Sequence, residues 1–225
     1  MFMSHIYDEE ILEDFQAAIA AKIPVLLTGQ PGIGKTYFAS KWLEHHFGAY
    51  NVVNCRQISE PTDFFFRPVL NKDGLSYVKT EVALYPERPL LLDDINRVQN
   101  ERALNSLRPL LDWRRKVFLP QLNEYVEAPQ VVIATAYIGS DSVGTIELDK
   151  ALLSRFIVIE LTKPKLRSKY ELIERVANEI AGATPRNIEF AEGLYETGVD
   201  MRDAILYGFA SVANKKDLEN LIGIF

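Results

Sequence analysis

"GQPGIGKT", residues 29–36, follows the apolar run "IPVLLT" (residues 23–28) and precedes a stretch in which Phe38, Trp42 and Leu43 recur at helical spacing. It matches the pattern G-x-x-x-x-G-K-[ST] set between a strand and a helix. Glycine at 29, 32 and 34 lets the backbone turn tightly and bring successive N–H groups against phosphate oxygens. The N-terminus of the following helix adds the positive end of its dipole. Lys35 then reaches the β- and γ-phosphates, and the Thr36 hydroxyl holds Mg2+. Gly29, Gln30, Pro31, Gly32, Ile33, Gly34, Lys35 and Thr36, with Tyr37 beginning the helix, form the candidate phosphate cradle.

Such a loop needs a partner acid for the metal. The run "LLLDDINR", residues 90–97, is apolar until it ends in two carboxylates. Asp93, at the end of the expected strand, can hold the magnesium shell, and Asp94 sits where a water-orienting carboxylate is found. Working outward, "IPVLLT", "YNVVN", "PLLLDD", "QVVIATA" and "FIVIEL" are short apolar segments separated by helical or irregular stretches. That alternation predicts an α/β fold with a parallel sheet. The segments are continuously apolar, as strands are when helices cover both faces of the sheet. From Lys163 onward the strand signal ends. Leu166, Tyr170, Ile173, Ala177 and Ile180 recur at helical spacing, Thr184 and Pro185 read as an N-cap followed by proline at the first helical position, and Asp200 caps a helix through Met201, Ile205 and Phe209. The expected division is a sheet domain over 1–162 and a small helical domain over 163–225, with the boundary near "LTKPK".

Composition narrows the class. The chain has 225 residues, 48% of them hydrophobic and 25% charged, enough to bury a full core. Cys55 is the lone cysteine, which excludes an intrachain disulfide. The three histidines, His5 and the adjacent pair His45 and His46, make a poor ligand set for a structural metal, and the pair reads as a helix end. A net charge of -6 argues against a broad electrostatic grip on nucleic acid. The basic triplet "RRK", Arg114 to Lys116, reads as a solvated face. The start, "MFMSHIYDEEILEDF", carries acids where a signal peptide has its apolar stretch. The longest apolar runs are far shorter than the ~20 residues of a membrane helix. The expectation is a cytoplasmic protein with no membrane span.

With these residues in view, the chain resembles the AAA+ ATPases. "LLLDDINR" followed by "ALNSLRPLLD" is similar to the MoxR-like, dynein-related branch, in which the first run usually reads D-E-I-N-R. "FFFRPVLNKDGLSYVKT", with a turn at "NKDG", sits where that branch carries its helix-2 insert. "VFLPQLNEYV" reads as the hairpin before its fourth strand, which "VEAPQVVIATA" resembles. "IELDKALLSRF" is similar to the segment ending in the arginine finger, which maps to Arg155. "GVDMRDAI" places the sensor 2 arginine on Arg202. The resemblance runs from about residue 8 to the C-terminus. It implies a P-loop NTPase sheet of five parallel strands sandwiched by helices, a helical lid domain, and ATP and Mg2+ as cofactors. It also implies a homo-oligomeric, hexameric ring in which Arg155 completes a neighbour's site, and chaperone-like remodelling of a protein client, often with an adaptor carrying a von Willebrand A domain.

Two departures stand out. Asp94 replaces the usual glutamate and is shorter by one methylene, about 1.5 Å of reach. A misplacement of about 1 Å can cost on the order of 100-fold in rate. The asparagine of sensor 1 is replaced by Tyr137, with Thr135 two residues back on the same strand face, so either residue is a candidate for contact with the γ-phosphate. Slow turnover is therefore expected, and two other functions stay open: a nucleic-acid-associated motor or loader resembling the McrB-type GTPases, and a nucleotide-gated scaffold. ATP over GTP rests on resemblance alone. Phe64, Phe65 and Phe66 are consecutive, and an extended segment cannot bury all three on one face. The expectation is that two pack on the hairpin and one covers the sheet, against the alternative of an exposed gripping surface.

Overall fold

The computed structural model describes residues 9–72, 74–120, 123–137, 144–161 and 166–224. His5, Asp73 of the expected "NKDG" turn, Gln121 and Leu122 of the second hairpin, and the expected division at residue 162 lie outside them. Two compact units make up the chain. One comprises Glu13–Gln30 and Lys35–Glu160, and the other includes Pro31–Gly34 and the helices beyond Leu161.

The strands, in chain order, are β1 (Val25–Thr28), β2 (Asn51–Asn54), β3 (Phe66–Asn71), β4 (Gly74–Lys79), β5 (Leu90–Asp93), β6 (Lys116–Leu119), β7 (Glu124–Glu127), β8 (Val132–Thr135) and β9 (Ile157–Glu160). The five segments expected as strands form one sheet in the order β2-β5-β8-β1-β9. Every pairing in it is parallel, with Leu26 opposite Ala134 on one side and Val158 on the other. The central strands β1 and β8 are buried at every residue, which is why they read as unbroken apolar runs. The edge strands are more open: two of the four residues of β2 and three of the four of β9 are exposed.

Helices α1 (Glu9–Ala20), α2 (Lys35–Phe47), α3 (Glu81–Leu84), α4 (Glu101–Asn105), α5 (Arg108–Leu111) and α6 (Lys150–Leu153) accompany these strands. Phe15 meets the rings of Phe38 and Trp42 edge-on at 4.9 and 5.0 Å, fixing α1 against α2. His45 and His46 occupy the last turn of α2, where His46 Nδ1 lies 2.9 Å from the Trp42 carbonyl oxygen and its ring stacks on Trp42. Two antiparallel hairpins, β3–β4 and β6–β7, occupy the expected inserts. Lys79 and Glu124 join them by an ion pair of 2.7 Å.

The three phenylalanines pack, as expected, and form no exposed gripping surface; what differs is the backbone that carries them. Phe64, Phe65 and Phe66 are all buried, at 1–2% exposure. The segment is not extended: Phe64 ends a 3-10 turn over Pro61–Phe64, Phe65 is in the right-handed helical region, and only Phe66 begins a strand. Turning the backbone between them directs all three rings into one core. The "RRK" triplet is only partly a solvated face. Arg114 pairs with Asp112 and Lys116 with Glu127. Arg115 adopts φ 48° and donates to the carbonyls of Lys22, Leu110 and Pro129, tying three segments together.

In the helical unit, α7 (Glu171–Glu179), α8 (Pro185–Glu196), α9 (Met201–Gly208) and α10 (Lys215–Ile224) enclose a core that includes Ile173, Val176, Ile188, Ile205, Phe209 and Leu218. Leu166 and Ile180 are buried there as their spacing suggests, though α7 itself starts after Tyr170. Pro185 begins α8, and Asn187 Oδ1 accepts from both the Thr184 N–H and its hydroxyl, at 3.1 and 2.8 Å. Asp200 accepts from the Arg202 N–H at the start of α9. Gly208 is required by contact: a Cβ there would lie 2.8 Å from the Ala191 Cβ, so α9 reaches the backbone of α8. Among the described residues no helix is long and apolar enough to cross a membrane.

Candidate nucleotide site

The loop after β1 adopts the conformation its glycines permit. Gly29, Gly32 and Gly34 have φ of 138°, 80° and 96°, in the region that side-chain-bearing residues avoid. Gln30, Pro31 and Tyr37 are exposed and Ile33 is buried. The ammonium of Lys35, the first residue of α2, turns back and donates to the carbonyls of Gly29 at 2.8 Å and Gln30 at 3.0 Å. Burial pushes Lys35 down to about 8, against the upward pull of the Asp94 and Asp93 carboxylates.

Thr36, next on α2, donates its hydroxyl to Asp93 Oδ1 at 2.6 Å. Asp93 ends β5, and the same oxygen accepts the Thr135 hydroxyl from β8 at 2.9 Å. Thr135 Oγ1 in turn accepts the Asp94 N–H at 2.8 Å. Thr135 thus bridges the two acids, a place that spacing alone left undecided. Asp94 has φ 55° and ψ 53°, a left-handed conformation that costs most residues about 1–2 kcal/mol and aspartate less. That turn separates the carboxylates: Asp93 faces Thr36, while Asp94 Oδ2 accepts from Arg56 Nε at 2.8 Å and Nη2 at 2.7 Å. The hydrogen bond to Asp94 is the main reason the Arg56 pKa is raised.

Asn96 lies in the 3-10 turn Ile95–Arg97 and clamps the chain beyond β8. Its Nδ2 donates to the Tyr137 carbonyl at 2.8 Å, and its Oδ1 accepts the Tyr137 N–H at 3.3 Å. Lys35 Nζ lies 4.2 Å from the centroid of the Tyr137 ring, and the Arg97 guanidinium carbon 4.5 Å. Burial raises the Tyr137 pKa, with Asp94 adding to it.

Lys35, Thr36, Asp93, Asp94, Thr135 and Tyr137 therefore converge at the carboxyl ends of adjacent parallel strands, where open α/β sheets hold their ligands. Arg155 does not join them: it follows α6 and donates to the Ala151 carbonyl. Arg202 is exposed on α9 of the helical unit. Reading the sequence missed Arg56, Asn96 and Arg97. The latter two lie inside the decisive run 90–97, but only the β2–β5 pairing, with Asn54 opposite Asp93, brings Arg56 to Asp94. The Thr36 and Asp93 oxygens suit Mg2+, which takes one or two protein ligands and fills its shell with water and phosphate oxygens.

A glycine loop with left-handed turns, opening a helix whose threonine meets a strand-end aspartate, defines a P-loop nucleotide-binding domain of the ATPase type. Residues 24–156 match the family model described as the AAA domain of the dynein-related subfamily. The chain belongs to that family. It is 30% identical over 160 residues to the uncharacterized protein YojN of Bacillus subtilis, an overlap of 68% of this chain and 52% of that one. An uncharacterized protein of Staphylococcus saprophyticus is 29% identical over 161 residues, 68% of this chain and 61% of the other. Midasin of Giardia intestinalis is 27% identical over 144 residues, 62% of this chain but 3% of midasin. The chain thus spans about half to three fifths of the length of the bacterial relatives it matches. Among solved structures, a Cytophaga hutchinsonii protein proposed to be an ATPase shares the fold, with a TM-score of 0.54 at 18% identity, over 77% of this chain and 52% of that one.

Proposed function

We propose that this chain hydrolyses ATP with Mg2+ at the subunit interfaces of a homo-oligomeric ring, hexameric in the family pattern, and remodels protein complexes as a MoxR-like chaperone. The observation that carries the reading is the 2.6 Å bond from Thr36 to Asp93 beside the Lys35 ammonium. It joins a phosphate-loop hydroxyl to a strand-end carboxylate where magnesium would be held. Lys35 would exchange its two loop carbonyls for phosphate oxygens, and the Gly29–Gly34 backbone would donate the remaining hydrogen bonds. Magnesium, when bound, neutralises charge on the phosphates. Thr135 keeps Asp93 aimed at Thr36. Asp94 would orient the attacking water once it leaves Arg56. Arg155, outside the cluster of its own chain, would serve a neighbour's site, a contribution on the order of 10³ to 10⁵ in rate. Arg202 is the proposed sensor 2 residue on a lid formed by residues 163–225. The client, or an adaptor such as a von Willebrand A-domain protein, would be recruited by the hairpins or by a further part of the protein.

The ion pair between Arg56 and Asp94 favours one second reading, a nucleotide-gated scaffold with very slow turnover, because the carboxylate needed for water is engaged. Phosphate release measured with ATP and Mg2+ over a range of protein concentrations separates the two. Turnover per chain is expected to rise with concentration and to be lost in both Lys35→Ala and Arg155→Ala, with ATP still bound by the latter. Unchanged turnover in Arg155→Ala removes the shared site. Tight binding with no turnover in the assembled protein leaves the scaffold, and no ATP binding removes both readings.

A further inference from the structure

Tyr137 lies just beyond β8, and its surroundings give its ring a task of its own. Asn96 fixes its backbone on both sides, which confines the ring. Two cations lie over that ring, Lys35 Nζ at 4.2 Å and the Arg97 guanidinium at 4.5 Å from the centroid. Both are inside the ~6 Å range in which a cation is drawn to the negative face of an aromatic ring. Two like charges gathered at one place repel unless a negative surface holds them. A carboxylate would hold Lys35 by a full charge and compete with an arriving phosphate. A ring quadrupole attracts more weakly and yields to one.

We propose that Tyr137 is a positioning residue that acts through its aromatic face, shelving Lys35 over the phosphate loop beside Arg97 so that the ammonium meets the nucleotide already in place. The inference rests on the reading of the loop as an ATP site. It assigns the work to the ring and not to the phenolic hydroxyl, which distinguishes it from a γ-phosphate sensor.

The test substitutes position 137 by phenylalanine, by phenylalanines carrying one, two and three ring fluorines, and by leucine, and measures affinity for a fluorescent ATP analogue with Mg2+ beside turnover. Fluorines drain the negative face while keeping the ring's shape, so folding is preserved across the series. Tyr137→Phe is expected to lose less than threefold in affinity. Affinity should then fall stepwise with fluorination, to about tenfold weaker for Tyr137→Leu, the size of a partly buried cation–ring contact. In a Lys35→Ala background the same changes should have little further effect, because the contact is already gone. A flat fluorine series, Tyr137→Phe as weak as Tyr137→Leu, or losses that add to that of Lys35→Ala would overturn the proposal. The ATP reading fails separately, and takes the proposal with it, if the unaltered protein and Lys35→Ala bind the analogue equally.

Discussion

Replacing Thr135 by valine keeps the shape of the side chain and removes one hydroxyl that serves two acids. The hydroxyl accepts the N–H of Asp94, a residue 5% exposed, and donates to Asp93. A buried N–H left without an acceptor costs about 1–3 kcal/mol, and a hydrogen bond to a charged carboxylate contributes about 1.5–3 kcal/mol. Asp93 keeps the Thr36 hydroxyl, so the second term belongs at its low end. The added methyl offsets about 0.8 kcal/mol. The net expectation is a loss of about 2–3 kcal/mol, or about 1 M in the urea midpoint for a slope of roughly 2–3 kcal/mol/M. Trp42 is buried against Phe15, and both tryptophans lie in the sheet unit, so intrinsic fluorescence follows that unit's unfolding. Thr135→Ser is the control: it retains both bonds and loses only a methyl, about 1 kcal/mol. If Thr135→Val unfolds within 0.5 kcal/mol of the original, or Thr135→Ser falls as far as Thr135→Val, the bridge between the two acids does not carry the stability assigned to it.

Four further outcomes follow from the same geometry. Arg56→Ala frees the Asp94 carboxylate, so basal turnover should rise in a phosphate-release assay while the melting temperature drops; lower turnover with unaltered ATP affinity would show that the pair aids hydrolysis. Gly208→Ala forces a Cβ to within 2.8 Å of the Ala191 Cβ, and overpacking of this kind costs about 1–3 kcal/mol, to be read as a lower unfolding temperature of the helical unit by circular dichroism. Burial pushes the Cys55 thiol up, so a thiol reagent at pH 8 should leave it unlabelled in the native protein and label it fully in urea; rapid native labelling would contradict its placement. Glu174 accepts the Ser168 N–H and an Arg167 donor, in that order of effect, and its pKa is lowered. Its contribution is therefore present above the ordinary glutamate pKa and lost as pH falls through the lower native value, and Glu174→Gln should flatten the acid limb of the unfolding profile.

The strands were legible because helices cover both faces of the sheet, leaving β1, β5 and β8 as runs that only a buried strand explains. The phosphate loop and the caps at Thr184 and Asp200 were legible because their chemistry is local: a glycine dihedral, a side chain meeting a backbone N–H. The path of the backbone was not legible where contacts distant in sequence or turn chemistry decided its direction. Asp63 accepts the N–H groups of Ser59 and Glu60, which winds the turn that buries all three phenylalanines. Arg115 is drawn inward by carbonyls that include Lys22, far away in the chain.

Asp94 joins both cases. Counted as a shortened glutamate, it is a loss of reach. In the fold it occupies the left-handed region, which aspartate tolerates better than glutamate because its short polar side chain can bond locally. The missing methylene thus has two consequences of opposite sign. Under the proposed hydrolysis it would withdraw the carboxylate from a water aligned for glutamate, and it admits the backbone turn that gives the Asp94 N–H to Thr135 and the Asp94 carboxylate to Arg56. The second acid of this run is therefore set by where the chain turns at residue 94 as much as by the length of the side chain it carries there.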